Sequence, residues 1–384
     1  MPGRGALGPA EWEAVQERFA RAWSSGQDFG YQGEAERAYT DAFVAYLGGD
    51  GHADAVCSGT AALFVGLAAL GLPEGSHVAV SCVTDPGTLN AIILNRLVPV
   101  LVDAQPGSYN MGPEQLLARL TPESKAVLVV HSTGQPAPIE ALADIARSRG
   151  LVLVEDCSQA HGASVNGRKV GTFGQLAMFS TMYTKAHVTG GTGGVVYTRD
   201  LDLYRRVRAH ADRGKAFWVP GADERDPATN LFPALNLNLD ELSCAIGRAS
   251  LGRLEGTIRA RLAFLETLKD RILAHSKACT PTPVGAGDSP YFHVIGVDRS
   301  RIRGGKTEFA QAIREEGIPL NPHYPQVASQ WPYLRPYLND AFGCPNACAH
   351  QASSFNLLFN EHYGEREAED IATAIAKVER EFLR

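Results

Sequence analysis

The sequence predicts an α/β protein built on a largely parallel sheet, with a smaller second domain toward the C-terminus. Two patterns lead to this reading. From Val56 to about Thr198 short β-branched runs alternate with stretches of helical periodicity, the signature of repeated βα units. Leu239 to about Ser276 then reads as one long, charged amphipathic helix, the kind of element that carries a chain from a large domain into a small one. A length of 384 residues fits two or three such units.

The elements follow in order. Residues 1–50 read as a helical arm, with apolar residues at helical spacing over Ala35–Leu47 and Gly48-Gly49 as the stop. Residues 51–250 form the large domain. Its strand runs are Val78–Cys82, Pro99–Asp103, Ala126–His131, Leu151–Glu155 and Val195–Thr198, and its helical stretches are Thr60–Leu70, Gly87–Asn95 and Pro138–Arg149. Residues 251–384 hold the rest of the bridging helix and the small domain, with a strand at Tyr291–Val297 and helices at Lys306–Glu316 and Glu365–Phe382.

Composition narrows the function. Hydrophobic residues at 45% and charged residues at 20% are ordinary for a globular protein. A net charge of -6 and the lack of a Lys/Arg cluster argue against nucleic acid as a partner. The longest apolar runs fall far short of the roughly 20 residues that span a bilayer. Met1–Arg4 leads into polar residues rather than an apolar signal core, so the expected location is cytoplasmic and no membrane partner is expected. Seven scattered cysteines give no disulfide framework, and Cys344 with Cys348, lacking a second pair at finger-like spacing, reads as two packed thiols rather than a metal site.

Three segments can carry chemistry. Ser58-Gly59-Thr60-Ala61-Ala62-Leu63 ends a loop and opens a helix, where free backbone N–H groups and small side chains let a phosphate approach; a plain Ser/Thr N-cap is the alternative. Glu155-Asp156-Cys157-Ser158-Gln159-Ala160-His161-Gly162 follows a buried-looking strand, and ligands of open α/β sheets sit beyond the carboxyl ends of strands, so Asp156 is where a carboxylate could hold a cationic ring nitrogen; an N-cap for the following segment or, with His161, a fragment of a metal site is the alternative. Phe179-Ser180-Thr181-Met182-Tyr183-Thr184-Lys185 runs into His187 and Gly190-Gly191-Thr192-Gly193-Gly194. Lys185 stands apart from the other seven lysines in its apolar, hydroxyl and glycine surroundings, where burial frees a neutral amine for Schiff-base chemistry; a phosphate-binding or ion-paired lysine is the alternative. A phosphate cup, a strand-end Asp and then a lysine together suit pyridoxal 5'-phosphate, which needs donors for its phosphate, a carboxylate for its pyridinium nitrogen and an amine for its aldehyde.

On these three segments, from about Gly33 to the C-terminus, the chain resembles the DegT–StrS family of sugar aminotransferases. Asn236 ahead of a helix, His323-Tyr324-Pro325 and Cys344-Pro345-Asn346-Ala347 add to the likeness. The resemblance implies a pyridoxal-phosphate transferase of fold type I, with a mixed, mostly parallel seven-stranded sheet and a homodimer whose active sites are shared. It implies Lys185 as the Schiff-base lysine and proton shuttle, and Asp156 as the partner of the ring nitrogen. Gln159 would lie beside the ring, and His161 would support Asp156 from behind. Ser58, Gly59, Thr60, Ala61, Ser180 and the partner subunit's Asn236 would hold the phosphate. The reaction implied moves an amino group from glutamate or glutamine to a keto-sugar, nucleotide-linked or free, or to an aminocyclitol-type ketone, as in amino-sugar or antibiotic biosynthesis.

Four positions depart from the family pattern. Asp85 stands where an aromatic residue usually stacks on the ring, Ala186 where asparagine often follows the lysine, Thr192 where glutamate is common and Asn238 where arginine is frequent. They flank the substrate side of the implied site, so the expected acceptor is an unusual ketone. Asp85 itself has two readings: it shapes a polar site beside the cofactor, or it starts the turn at Pro86-Gly87. A sugar dehydratase or a non-catalytic cofactor-binding regulator are the competing functions. Dehydrating relatives tend to carry His at the lysine position, and the intact Lys185, Asp156 and Gln159 speak for turnover.

Overall fold

The computed structural model describes residues 7–221, 223 and 225–384; the Met1–Arg4 stretch read above lies outside them. The chain opens with helices α1 (Pro9–Ser25) and α2 (Glu34–Leu47), the second ended by Gly48 at φ 130°. The large sheet then takes strands β1 (His52–Val56), β2 (His77–Ser81), β3 (Val98–Val102), β4 (Ser124–Val130) and β5 (Val152–Asp156). Helices α3 (Gly59–Leu70), α4 (Pro86–Leu94), α5 (Pro113–Arg119) and α6 (Ile139–Ser148) connect them. A short hairpin, β6 (Ser164–Val165) with β7 (Arg168–Lys169), leads to β8 (Leu176–Ser180), β9 (Gly194–Thr198) and α7 (Leu201–Ala211).

The sheet order is β1-β9-β8-β5-β4-β2-β3. Strand β9 pairs antiparallel with both neighbours, and every other pairing is parallel. This is the mixed, mostly parallel seven-stranded sheet that the resemblance implied. Two of its strands escaped the sequence reading. β1 is built from His, Ala, Asp, Ala and Val, and β8 from Leu, Ala, Met, Phe and Ser, so neither shows the β-branched run that marks a strand. Their burial between neighbours fixes them instead. Helices α5 and α7 were also not foreseen.

The long helix α8 (Glu241–His275) follows. Beyond it, β10 (Cys279–Pro281), β11 (His293–Val297), β12 (Leu320–Asn321) and β13 (Ser354–Leu357) form an antiparallel sheet in the order β10-β11-β13-β12, interleaved with α9 (Lys306–Glu315), α10 (Pro345–Ala352) and α11 (Glu365–Phe382). Phe264, Leu268 and Ile272 of α8 pack there with Phe309, Ile313, Phe355, Ile371 and Ile375. Val327, Ala328, Leu334, Cys344 and Ala347 belong instead to the core under the large sheet. The backbone holds that segment in place: Ala328 N donates to Cys82 O at 2.8 Å, and Thr84 N donates to Gln326 O at 3.1 Å. Among the described residues no helix is long and apolar enough to cross a membrane.

One carboxylate ties the arm to α8. Glu241, 2% exposed, accepts the backbone N–H groups of Gly33 (3.1 Å), Ala35 (3.0 Å) and Glu36 (2.9 Å), the open N-terminus of α2, and pairs with Arg18 of α1 at 2.8 Å. Replacing it leaves three N–H donors unmet, two of them buried, and leaves Arg18 with only the more distant Glu34 at 3.6 Å. Glu241→Ala is therefore expected to lower unfolding free energy by about 2–4 kcal/mol, with Glu241→Gln losing less. Urea melts of the two variants check this, and equal stability of Glu241→Ala and wild type would remove the arm's anchoring role.

Candidate active site

A cavity of ≈ 410 Å³ opens at the carboxyl ends of β2, β4, β5 and β8, the position a parallel sheet reserves for ligands. Of the residues singled out from sequence, Ser58, Gly59, Thr60, Asp85, Asp156, Gln159, Ser180 and Lys185 line it. Ala61, His161 and Asn236 do not.

Helix α3 begins at the cavity wall. Ser58 is its N-cap, and its Oγ accepts the N–H of Ala61 at 3.0 Å, so that hydroxyl and that donor satisfy one another. Gly59 and Thr60 remain, with first-turn N–H groups that no helical carbonyl can reach. A Cβ on Gly59 would sit 2.5 Å from Ser180 Cβ, which is why the position admits no side chain. Ser180 is held by its own N–H, donated to Ser158 Oγ at 3.0 Å. The glycine-rich stretch seats β9 against the same loop: a Cβ on Gly194 would strike the carbonyl of Ser58.

Asp156, the last residue of β5, is 3% exposed. Its Oδ1 accepts the N–H of Ser158 at 3.0 Å, and its Oδ2 accepts from Thr88 Oγ1 at 3.0 Å. Thr88 in turn receives the hydroxyl of Thr84 at 2.7 Å. This relay from α4, which sequence reasoning missed, does what was expected of His161. His161 instead lies behind the wall, its ring 5.6 Å from Phe179 and 5.7 Å from His187, with no hydrogen bond to Asp156 and with Nε2 buried without a partner. Burial, with the charges of His187, Lys185 and Arg261 adding, pushes its pKa well below the ordinary histidine value. His187 is likewise lowered by burial to about 3, and its Nε2 meets Tyr39 Oη at 2.7 Å. The two rings pack behind the wall, and the expected support of Asp156 by His161, with its place among the cofactor-holding residues, is corrected on this geometry.

Gln159 is clamped at both ends of its amide: Oε1 accepts the N–H of Thr133 at 2.9 Å, and Nε2 donates to Tyr324 Oη at 3.4 Å. Thr133 is a β-branched residue held at φ 66°, a conformation that such contacts must stabilise. Lys185, 8% exposed, has no hydrogen bond to its Nζ among the described residues; the amine lies 4.5 Å from the centroid of the Tyr291 ring, whose hydroxyl meets Thr184 Oγ1 at 3.2 Å. Tyr291, Phe292, Tyr324, Gln326 and Leu358 all reach the cavity from the C-terminal part of the chain. Only Tyr324 had a sequence signal, through its place in the His-Tyr-Pro segment.

The structure matches the turn reading of Asp85, and the residue also borders the cavity. It is the N-cap of α4, with Oδ1 accepting Gly87 N–H at 2.9 Å, and it also lines the cavity mouth. Asn236 is exposed on the loop before α8, where its Oδ1 accepts from Asn238 Nδ2 at 2.7 Å.

The chain as a whole is similar to known aminotransferases. The profile of the DegT/DnrJ/EryC1/StrS aminotransferase family matches residues 11–376. The chain is 31% identical to an L-glutamine:2-deoxy-scyllo-inosose aminotransferase of Streptoalloteichus tenebrarius over 84% of its own length and 76% of that protein's. It is 32% identical to a dTDP-4-dehydro-2,3,6-trideoxy-D-glucose 4-aminotransferase of Saccharopolyspora spinosa, covering 84% and 83%. An aminotransferase structure from Psychrobacter cryohalolentis superposes with a TM-score of 0.87 at 25% identity over 97% of each chain.

The tight contact of Gly59 with Ser180 yields a test. Gly59→Ala is expected to cost about 1–3 kcal/mol of stability through overpacking, and Ser180→Gly in the same chain should recover most of it. Denaturant midpoints of the single and double variants decide; no recovery in the double variant would show that the two residues do not crowd each other.

Proposed function

This chain belongs to the DegT/DnrJ/EryC1/StrS aminotransferase family, and on that premise we propose that it carries pyridoxal 5'-phosphate on Lys185 and moves an amino group from glutamate or glutamine to a keto-sugar or cyclitol ketone. The observation that carries the proposal is the convergence in one cavity of a side-chain-free helix start at Gly59, the relay-held carboxylate of Asp156 and the unpartnered amine of Lys185. These residues fit the cofactor's three needs: N–H donors where a Cβ is excluded, a carboxylate fixed at a strand end, and a free amine in a largely buried wall.

When bound, pyridoxal phosphate supplies an electron sink and an aldehyde on which an amino group can be exchanged. The chain's own residues do the rest. Gly59, Thr60 and Ser180 would hold the phosphate, and Asp156, kept in one orientation by Thr88 and Ser158, would pair with the ring nitrogen. Gln159, fixed by Thr133 and Tyr324, would bound the ring on one side. Lys185 would anchor the aldehyde and, once displaced, its Nζ would take up the proton from the carbon that bears the donor's amino group. Tyr291 covers Nζ, which limits the amine's wandering and its contact with water.

A homodimer with shared sites is part of the proposal. Asn236 is exposed beside an open, cationic concavity that includes Arg213, Lys215 and Arg225, and apolar Leu231 and Leu235 stand exposed on the same loop. A second copy would cover that surface and receive Asn236 at its cofactor phosphate.

Two outcomes follow. Borohydride reduction of the loaded protein should fix the cofactor on Lys185, and Lys185→Ala should retain the cofactor noncovalently while transamination falls by at least about a hundredfold; a peptide map with the label on another lysine would overturn the assignment. Mixing inactive Lys185→Ala with an impaired Asn236→Ala variant after dissociation should restore activity, because half of the sites in a mixed dimer escape both changes. Absence of recovery despite re-formed dimers would count against shared sites.

A further inference from the structure

Three side-chain amides form one hydrogen-bonded chain that ends at Asn236. It starts from Asp212, fully buried, whose carboxylate receives Arg213 Nε at 2.7 Å and Lys215 Nζ at 2.8 Å. Asp212 Oδ2 also takes Gln32 Nε2 at 3.4 Å, and the same Gln32 nitrogen donates to Asn238 Oδ1 at 3.0 Å. Asn238 then donates twice to Asn236 Oδ1, from its side-chain Nδ2 at 2.7 Å and from its backbone N–H at 3.3 Å.

The polarity of this chain is fixed at both ends. The Asp212 carboxylate, paired with two cations, can only accept, so Gln32 must turn its NH2 group inward and Asn238 must meet it with oxygen. A backbone N–H can only donate, so the atom of Asn236 that faces the Asn238 main chain is its carbonyl oxygen. Both requirements give the Asn238 amide the same orientation. The Asn236 NH2 group is left outward, on an exposed residue, with no hydrogen bond among the described residues.

The first amide of the chain is itself held firmly. Gln32 sits at φ 58°, a left-handed conformation that a residue with a side chain keeps only where its surroundings enforce it. Its N–H donates to Glu36 Oε2 at 2.6 Å, and its carbonyl accepts from Arg37 Nη1 at 3.2 Å. The identity of residue 238 matters equally. Arginine, frequent there in the family, has donors only and could not accept from Gln32, whereas asparagine accepts on one side and donates on the other.

Resting on the shared-site reading above, we propose that Gln32 and Asn238 are positioning residues for the cofactor phosphate bound by the second copy. They lock the Asn236 amide with its two N–H donors outward, toward an anion. An Asn236 free to turn would as readily offer its oxygen, which repels a phosphate, and would lose side-chain freedom on binding. The chain from Asp212 settles both before the cofactor arrives.

The test titrates the full-length dimer, stripped of cofactor, with pyridoxal 5'-phosphate and with pyridoxal, which lacks the phosphate, and reads each dissociation constant from the visible absorbance. Asn236→Ala should raise the constant for pyridoxal phosphate by about 10- to 100-fold and move that for pyridoxal by less than about twofold. Asn238→Leu should raise the first by about 5- to 20-fold, and Gln32→Met by about 2- to 5-fold, with the same indifference to pyridoxal. General damage to the fold weakens both ligands, so the ratio of the two constants isolates the phosphate contact. In the Asn236→Ala background neither substitution should add a further loss, because both act through the Asn236 amide. Losses equal for the two ligands in Asn238→Leu and Gln32→Met alike, or losses that add to that of Asn236→Ala, overturn the proposal while leaving the shared site standing. An unchanged ratio in Asn236→Ala overturns the shared-site reading, and the proposal with it.

Discussion

The central strand β5 ends in two carboxylates, and the alternation of a strand sends them to opposite faces. Glu155, fully buried, accepts from Gly171 N at 2.8 Å and from Phe173 N and Gly174 N at 2.7 Å each, and meets His131 Nε2 at 3.1 Å. It folds the loop that precedes β8 onto the sheet. Asp156, one residue on, turns into the cavity. Because β8 begins two residues after that loop and ends at Ser180, the register set by Glu155 fixes where Ser180 meets Gly59. The structural carboxylate and the site carboxylate are therefore not independent. A slip of one residue in β5 would exchange their faces and leave a charge buried without donors on one side and no acid in the site on the other.

How much of this was legible in the sequence depends on whether an interaction is local. The N-cap at Ser58, the strand-end position of Asp156 and the turn at Asp85 are local, and each could be read from a few residues. The C-terminal helix α11 was read at Glu365–Phe382, because its apolar residues repeat over several turns without interruption. Thr88, Tyr291 and Gln326 could not be read in this way. Nothing near Thr88 marks it as the support of a carboxylate 68 positions later, and Tyr291 reaches Lys185 only through a tertiary crossing. The mistaken placement of His161 has the same origin. The resemblance implied support of Asp156 by His161, but the chain turns at Gly162, held at φ 81°, and the imidazole packs against Phe179 rather than returning to the carboxylate.

The C-terminal contribution to the site is seated by backbone, and this separates placement from selectivity. Tyr291 N donates to Thr133 O at 3.1 Å and Ser289 N to Gly134 O at 2.9 Å, while the Val83 to Val327 bridge holds the next segment. Gly134, at φ 88°, allows the close approach, since a Cβ there would run into the carbonyl of Ser289. Main-chain bonds of this kind do not depend on which side chains stand at 291, 324 or 326. The side chains at these positions can thus change without moving the frame that carries them, whereas Asp156 and Gly59 are each fixed by contacts that tolerate little change. A cavity built in this way separates the contacts that hold its base from the side chains contributed by the C-terminal part of the chain, which the main chain seats whatever their identity.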